Sequence, residues 1–228
     1  MRFDIITIFP EIFDSYFSES IIKRAKEGRF VEIEVHDLRD YTKDRHKTVD
    51  DAPYGGGAGM VLKIEPIWQC IQSLKSQILN PKSQKNPKVK IKKSETRIIL
   101  FSAKGKRFTQ QDAMRLSEYD NLIFICGRYE GVDERVVEHV ADEEISLGDF
   151  VMTGGEIPAM AVTDSIVRLI PGVLGNAESI ETESHAKEGY LEYPQYTRPE
   201  EFMGWKVPKV LLGGDHKKIK EWRDKHAR

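Results

Sequence analysis

The chain has 228 residues, a formal charge of −2, and hydrophobic and charged fractions of 39% and 32%. This is the profile of a soluble globular protein with one large domain, or one domain and a small appendage. No apolar run reaches the length of a membrane span, and the first residues, MRFDIITIFPEIF, lack the pattern of a secretion signal. A cytoplasmic protein is expected.

Phe3 to Phe9 is apolar and β-branched, ends at Pro10, and predicts a buried strand. Glu11 to Lys26 has apolar residues at helical spacing and stops at Gly28, which predicts one helix. Phe30 to Val35 alternates apolar and acidic residues, as a half-buried strand does. A polar, turn-rich stretch, Asp37 to Gly59, precedes a helix expected over Glu65 to Leu79. Asn80 to Glu95 is lysine-rich with two prolines and reads as a surface insertion.

Strands are expected over Arg97 to Phe101, Leu122 to Cys126 and Glu144 to Leu147. Helices are expected over Thr109 to Tyr119, capped by Thr109, over Val132 to Val140, and over the strongly apolar Ile157 to Ile170. This alternation predicts an α/β domain with a largely parallel sheet. Asn176 to Gly189 is polar and acidic, a candidate flexible linker. A Pro/aromatic stretch, Tyr190 to Pro208, and a helix from about His216 to Lys225 predict a small helical appendage.

Three glycine turns punctuate Leu122 to Met160: two apolar segments each run into a glycine, and Gly154-Gly155 opens the apolar helix. Glycine lets the backbone turn sharply and lets a ligand approach the main chain, so one small-molecule site built from backbone is expected there. The dinucleotide and phosphate-loop fingerprints are absent. The nearest imitation, Ser102-Ala103-Lys104-Gly105-Lys106, lacks the leading glycine. Cys70 and Cys126 form no CxxC and no cluster with the six histidines, so buried thiols are expected and no metal site. Two basic tracts, Lys82 to Arg97 and Lys217 to Arg228, are candidates for contact with nucleic acid.

Seven segments in collinear order resemble the bacterial tRNA (guanine-N1)-methyltransferases of the SPOUT superfamily. They are TIFPEIF (7–13), TVDDAPYGGGAGMVLK (48–63), GRYEGVDER (127–135), ISLGDFVMTGGEIPAM (145–160), RLIPGVLG (168–175), YTRP (196–199) and IKEWR (219–223). The resemblance implies a parallel-sheet domain with a trefoil knot over residues 1–174, a linker over 175–189 and a short helical tRNA-binding domain over 190–228. It implies methyl transfer from S-adenosyl-L-methionine to N1 of the guanosine at position 37 of tRNA, by a homodimer with its active site at the subunit interface. It allows a Mg2+ dependence that no ligand pattern in the sequence specifies. The implied cofactor residues are Leu100, Phe101, Ser102, Gly127, Tyr129, Glu130, Leu147, Gly148, Asp149, Phe150, Val151, Met152, Gly154, Gly155 and Pro158. Asp50, Tyr54, Gly55, Gly56, Gly59 and Arg128 would meet the tRNA.

Guanine N1 carries a proton at neutral pH, so the reaction needs a base for that proton and a cation for charge developing on O6. The resemblance gives these roles to Glu183, where the family has aspartate, and to Arg168. Glu181 is the alternative base. Three departures stand out: Ala58 and Ala103 in place of a common proline, the long Asn80 to Glu95 segment, and a sequence that stops soon after IKEWR. Three alternatives stay open: a related methyltransferase acting on another RNA nucleoside, a non-catalytic RNA-binding relative, and a nucleotide hydrolase with an unusual phosphate loop.

Overall fold

The computed structural model describes residues 1–79, 95–175 and 183–228. Five strands form one sheet in the order β2-β1-β6-β5-β7, and every pairing in it is parallel. The strands are β1 (Arg2–Thr7), β2 (Glu32–Asp37), β5 (Thr96–Arg107), β6 (Asn121–Cys126) and β7 (Glu143–Ser146). Side chains alternate between two cores. Phe3, Ile5, Ile99, Phe101, Leu122 and Phe124 face one, while Ile6, Ile98, Leu100, Ile123 and Ile125 face the other. A sheet covered on both faces explains why β6 reads as an unbroken apolar run.

Helices α1 (Ile12–Phe17), α2 (Ser20–Glu27), α4 (Gln110–Leu116) and α6 (Glu156–Val167) contribute to the first core. Helices α3 (Ile64–Leu79) and α5 (Glu134–His139) contribute to the second. The single helix expected over Glu11 to Lys26 is two helices. Glu19 is extended and Ser20 has a φ of 50°, and this turn lets Phe13 and Phe17 enter the same core as Ile22 and Ala25. The second strand starts at Glu32 rather than Phe30, because the parallel register begins where the Glu32 amide donates to the Met1 carbonyl. The Thr109 cap is present as a full capping box with Asp112.

The strand expected to end at Phe101 continues to Arg107. Its polar tail leaves the β7 ladder after Phe101 and rejoins it at Lys106, so that Ile145 pairs with both residues. Such a bulge re-aims the strand, and here residues 102–105 arch out of the sheet. Neither apolar content nor alternation marks that tail.

Asp4 is fully buried in β1, where the surrounding sequence predicts only core. Arg2 holds it with a two-pronged contact (Nε and Nη2, both 2.7 Å), and His36 Nε2 lies 2.8 Å from Oδ1. Burial alone would raise the pKa of this carboxyl; the bonds from Arg2 and His36 together outweigh it and hold the pKa below the ordinary value of 3.8. A carboxylate with a lowered folded-state pKa stabilises the fold fully above its unfolded pKa, and that contribution is lost as pH falls through the folded value. Urea midpoints should therefore drop steeply below about pH 4 in the wild type, and Asp4→Asn should be less stable at pH 7 with a flatter acid limb. An unchanged acid limb would assign the acid sensitivity elsewhere.

Residues 176–228 form a second compact unit. Within it, β8 (Glu201–Phe202) and β9 (Trp205–Lys206) make a hairpin that the sequence reading did not foresee. Its two turn residues, Met203 and Gly204, both have positive φ (51° and 83°), as a tight two-residue hairpin requires. Helices α7 (Lys209–Leu212) and α8 (His216–His226) follow. The aromatic stretch supplies partners for α8: Tyr196 meets Trp222 edge-on at 6.2 Å, and the Arg223 guanidinium lies over the Tyr193 ring at 4.9 Å. Much of the expected linker and the Asn80 to Ser94 part of the expected insertion lie outside the described residues.

Candidate active site

In a parallel sheet with helices on both faces, the loops leaving the carboxyl ends of the strands frame the natural ligand crevice. Here the bulge of β5, the loop after β6 and the loop after β7 enclose a cleft, whose space, open mouth included, is about 940 Å³. Of the fifteen residues that the sequence resemblance assigns to the cofactor, all line this cleft except Gly148 and Asp149. Asp149 points to solvent and pairs with Arg107, while Gly148 forms a tight turn with the Ser146 hydroxyl.

The walls have distinct chemistry. Leu100, Phe101, Leu147 and Pro158 give an apolar floor, and Phe150 and Val151 expose apolar side chains at the rim. Tyr129 lines the cleft with a φ of 59°, a left-handed conformation that costs a non-glycine residue energy and clusters at functional sites. Lys104 and Glu134, neither assigned from sequence, form an ion pair of 3.6 Å in the lining. Lys104 reaches the cleft only through the β5 bulge, which the sequence does not signal.

Two glycine contacts connect the cleft to its surroundings. At Gly155 a Cβ would lie 2.6 Å from Cys126 Cα, so only glycine lets the two loops touch; the Gly155 amide donates to the Gly127 carbonyl at 2.9 Å. At Gly59 (φ 81°) a Cβ would meet the Glu130 side chain at 2.5 Å. The glycine-rich loop at residues 54–59, framed by β3 (Asp50–Asp51) and β4 (Val61–Leu62), therefore lies directly over Glu130. Backbone bonds fix this contact: the Glu130 amide donates to the Met60 carbonyl, and the Leu62 amide to the Gly131 carbonyl. Tyr54 at the tip of that loop is fully exposed, and beside it Gly55 and Gly56 face open space.

Comparison with known proteins decides the family. A sequence model described as tRNA (Guanine-1)-methyltransferase TrmD matches residues 1–228. A tRNA (guanine-N(1)-)-methyltransferase of Geobacter sulfurreducens is 50% identical over 227 residues, covering 100% of this chain and 86% of that protein. One from Dictyoglomus turgidum is 51% identical over 227 residues, covering 100% and 85%. The chain belongs to the tRNA (guanine-1)-methyltransferase family. The crystal structure of a tRNA (m1G37) methyltransferase from Aquifex aeolicus superposes with a TM-score of 0.78 at 38% identity, over 99% of this chain and 88% of that one.

As a member of the tRNA (guanine-1)-methyltransferase family, the chain is an enzyme. Its remaining expected site residues fall in different places. Arg168 closes α6 as its C-terminal cap. Glu183 belongs to the second unit, where its carbonyl accepts from the Ala186 amide and the Ser184 hydroxyl accepts from the Glu192 amide. The segment after Glu183 is thus a hydrogen-bonded turn within that unit. Glu181 lies outside the described residues.

Arg128, expected to meet tRNA, also lines the cleft. Its Nε donates to Glu156 Oε2 at 2.9 Å, its Nη1 donates to the Thr153 carbonyl, and its guanidinium lies over the Phe9 ring at 4.7 Å. Cys126 lies behind the Gly155 turn; burial first, and then the nearby Glu156 charge, push its thiol well above the ordinary cysteine value, so it is an inert core group. Among the described residues no cluster of His, Cys, Asp or Glu could hold a metal ion, and no helix is long and apolar enough to cross a membrane.

Proposed function

We propose that the chain transfers a methyl group from S-adenosyl-L-methionine to N1 of the guanosine at position 37 of tRNA. The observation that carries this reading is the cleft itself. It gathers three loops that are distant in sequence into one backbone-rich pocket with an apolar rim, in a chain of this family.

The residues present fit the methyl donor. Leu147, Phe150, Val151, Met152 and Pro158 would wall the adenine ring, and the main chain at Gly127, Gly154 and Gly155 would meet its polar edge. Glu130, one of the carboxylates in the lining, would meet the ribose hydroxyls or the sulfonium charge. Bound there, S-adenosylmethionine supplies an electrophilic methyl group. The protein's task is then the acceptor. Glu183 would take the N1 proton of guanine, and Arg168 would bind O6 as negative charge develops there. Tyr54, Gly55, Gly56 and Gly59, with Asp50 at the base of their hairpin, would receive the anticodon loop beside the cleft.

The domain reading follows: a knotted catalytic domain over 1–174, a linker over 175–189 and a tRNA-binding domain over 190–228, whose α8 carries lysines and arginines for phosphates. The enzyme is read as cytoplasmic and as a homodimer. Support for the dimer comes from one face of the first unit. Ile12 and Tyr16 of α1 are exposed, as is Ile157 of α6, and Tyr16 bonds to Asp164. Residues 157, 161, 164 and 168 share one helical face, which puts Arg168 at the end of the face that carries Ile157 and Asp164.

The deciding experiment is a radiolabelled methyl-transfer assay on total tRNA with mapping of the product. One methyl per acceptor at N1 of guanosine 37 is expected, and transcripts lacking that guanosine should stay unlabelled. Label elsewhere, or none, would overturn the reading. Repeating the assay with a chelator decides whether Mg2+ takes part, and sedimentation decides the dimer.

A further inference from the structure

Glu156 is the least expected group near the cleft. Its side chain is only 2% exposed, yet it does not line the cleft. A buried carboxylate needs partners to offset its lost hydration, and both of its oxygens have one. Oε1 accepts from the Thr7 hydroxyl at 2.7 Å, and Oε2 accepts from Arg128 Nε at 2.9 Å. The Thr7 oxygen in turn accepts from the Phe9 amide at 3.0 Å, and the Phe9 ring lies against the Arg128 guanidinium. The group thus joins the end of β1, the loop after β6 and the first turn of α6.

The two loops it joins are the two glycine turns of the cleft. Arg128 and Gly154 form an antiparallel backbone bridge, and a Cβ on Gly154 would collide with the Arg128 side chain. The next residues after Arg128 are Tyr129, held at positive φ, and Glu130, both in the cleft lining. Where Arg128 is held therefore decides where Tyr129 and Glu130 stand.

We propose that Glu156 is a positioning residue for the methyl donor: bridging Thr7 and Arg128, its carboxylate sets the spacing of the two glycine turns and the orientation of Tyr129 and Glu130. This rests on the reading that the cleft holds S-adenosylmethionine. Glutamine at this position fills the same volume but offers one acceptor in place of two, so it can hold Arg128 or accept from Thr7, not both. Thr7→Val removes the hydroxyl alone, and Thr7→Ser keeps it.

The test is calorimetry of S-adenosylmethionine with the full chain, joined to steady-state kinetics. Glu156→Gln should weaken cofactor affinity and raise the cofactor KM about tenfold, the scale of one lost charge-assisted hydrogen bond, with the tRNA KM unmoved. Thr7→Val should shift both in the same direction by a smaller factor, and Thr7→Ser should restore the wild-type values. Wild-type cofactor affinity in folded Glu156→Gln and Thr7→Val overturns the proposal, as does an equal rise in the tRNA KM. A wild-type protein that binds no S-adenosylmethionine overturns the reading of the cleft instead, and this inference with it.

Discussion

Replacing Glu183 with alanine should cut methyl transfer by about a thousandfold, within the range that a positioned acid or base contributes, while S-adenosylmethionine still binds with wild-type affinity. The separation follows from the fold. The cleft lies wholly in the first unit, whereas Glu183 belongs to the second. Loss of its carboxylate leaves every lining residue in place and removes the proposed acceptor for the guanine proton. A carboxylate with a reference pKa of ~4.3 is a weak base for this proton, so the proposed cation on O6 matters as much. Arg168→Ala should cost about a hundredfold or more by removing that charge, again with cofactor binding intact. Glu183→Asp, the residue type that the family resemblance implies at this position, should keep most of the activity. Full activity in Glu183→Ala would move the base elsewhere, with Glu181 the next residue to replace.

The architecture was largely legible because its strands are covered on both faces. An unbroken apolar run such as Leu122 to Cys126, ending in glycine, marks a central strand without ambiguity. Two features escaped for physical reasons. The β5 tail is polar because it bulges away from the sheet, so it carries no strand pattern, yet it brings Lys104 to the cleft. Asp4 and Glu156 are charged residues in apolar surroundings. Their burial depends on partners far away in sequence, Asp4 on His36 and Glu156 on Thr7. The ion pair of Arg128 was not legible for the same reason: the buried carboxylate beneath it, Glu156, is 28 residues away in sequence. The cleft residues were legible through the glycines and the family resemblance together, since turn glycines alone fit any backbone-lined pocket.

One substitution separates the role of those glycines from their conformation. Gly155 has a φ of −84°, which any residue can adopt. Its need for glycine is therefore purely a matter of space: a Cβ would lie 2.6 Å from Cys126 Cα and 3.0 Å from the Gly127 amide nitrogen, both backbone atoms in the loop that faces the cleft. Backbone cannot swing aside as a side-chain tip can, so Gly155→Ala must push the two loops apart. It should stretch the bond from the Gly155 amide to the Gly127 carbonyl and cost about 1–3 kcal/mol of stability, as overpacking does. Because both loops line the cleft, S-adenosylmethionine affinity should fall more than tenfold, a larger loss than one hydrogen bond explains. Gly213→Ala is the matched control. Gly213 also has an ordinary φ (−83°), and the nearest atom to its Cβ would be a carbonyl oxygen at 3.9 Å. There alanine only reduces the freedom of the unfolded chain, so stability should rise by about 0.4–1 kcal/mol with cofactor affinity unchanged. The same change of one methyl group should thus act in opposite directions at the two positions, measured by urea midpoint and calorimetry. If both variants behave alike, close packing of the loops is not what the glycine pair provides.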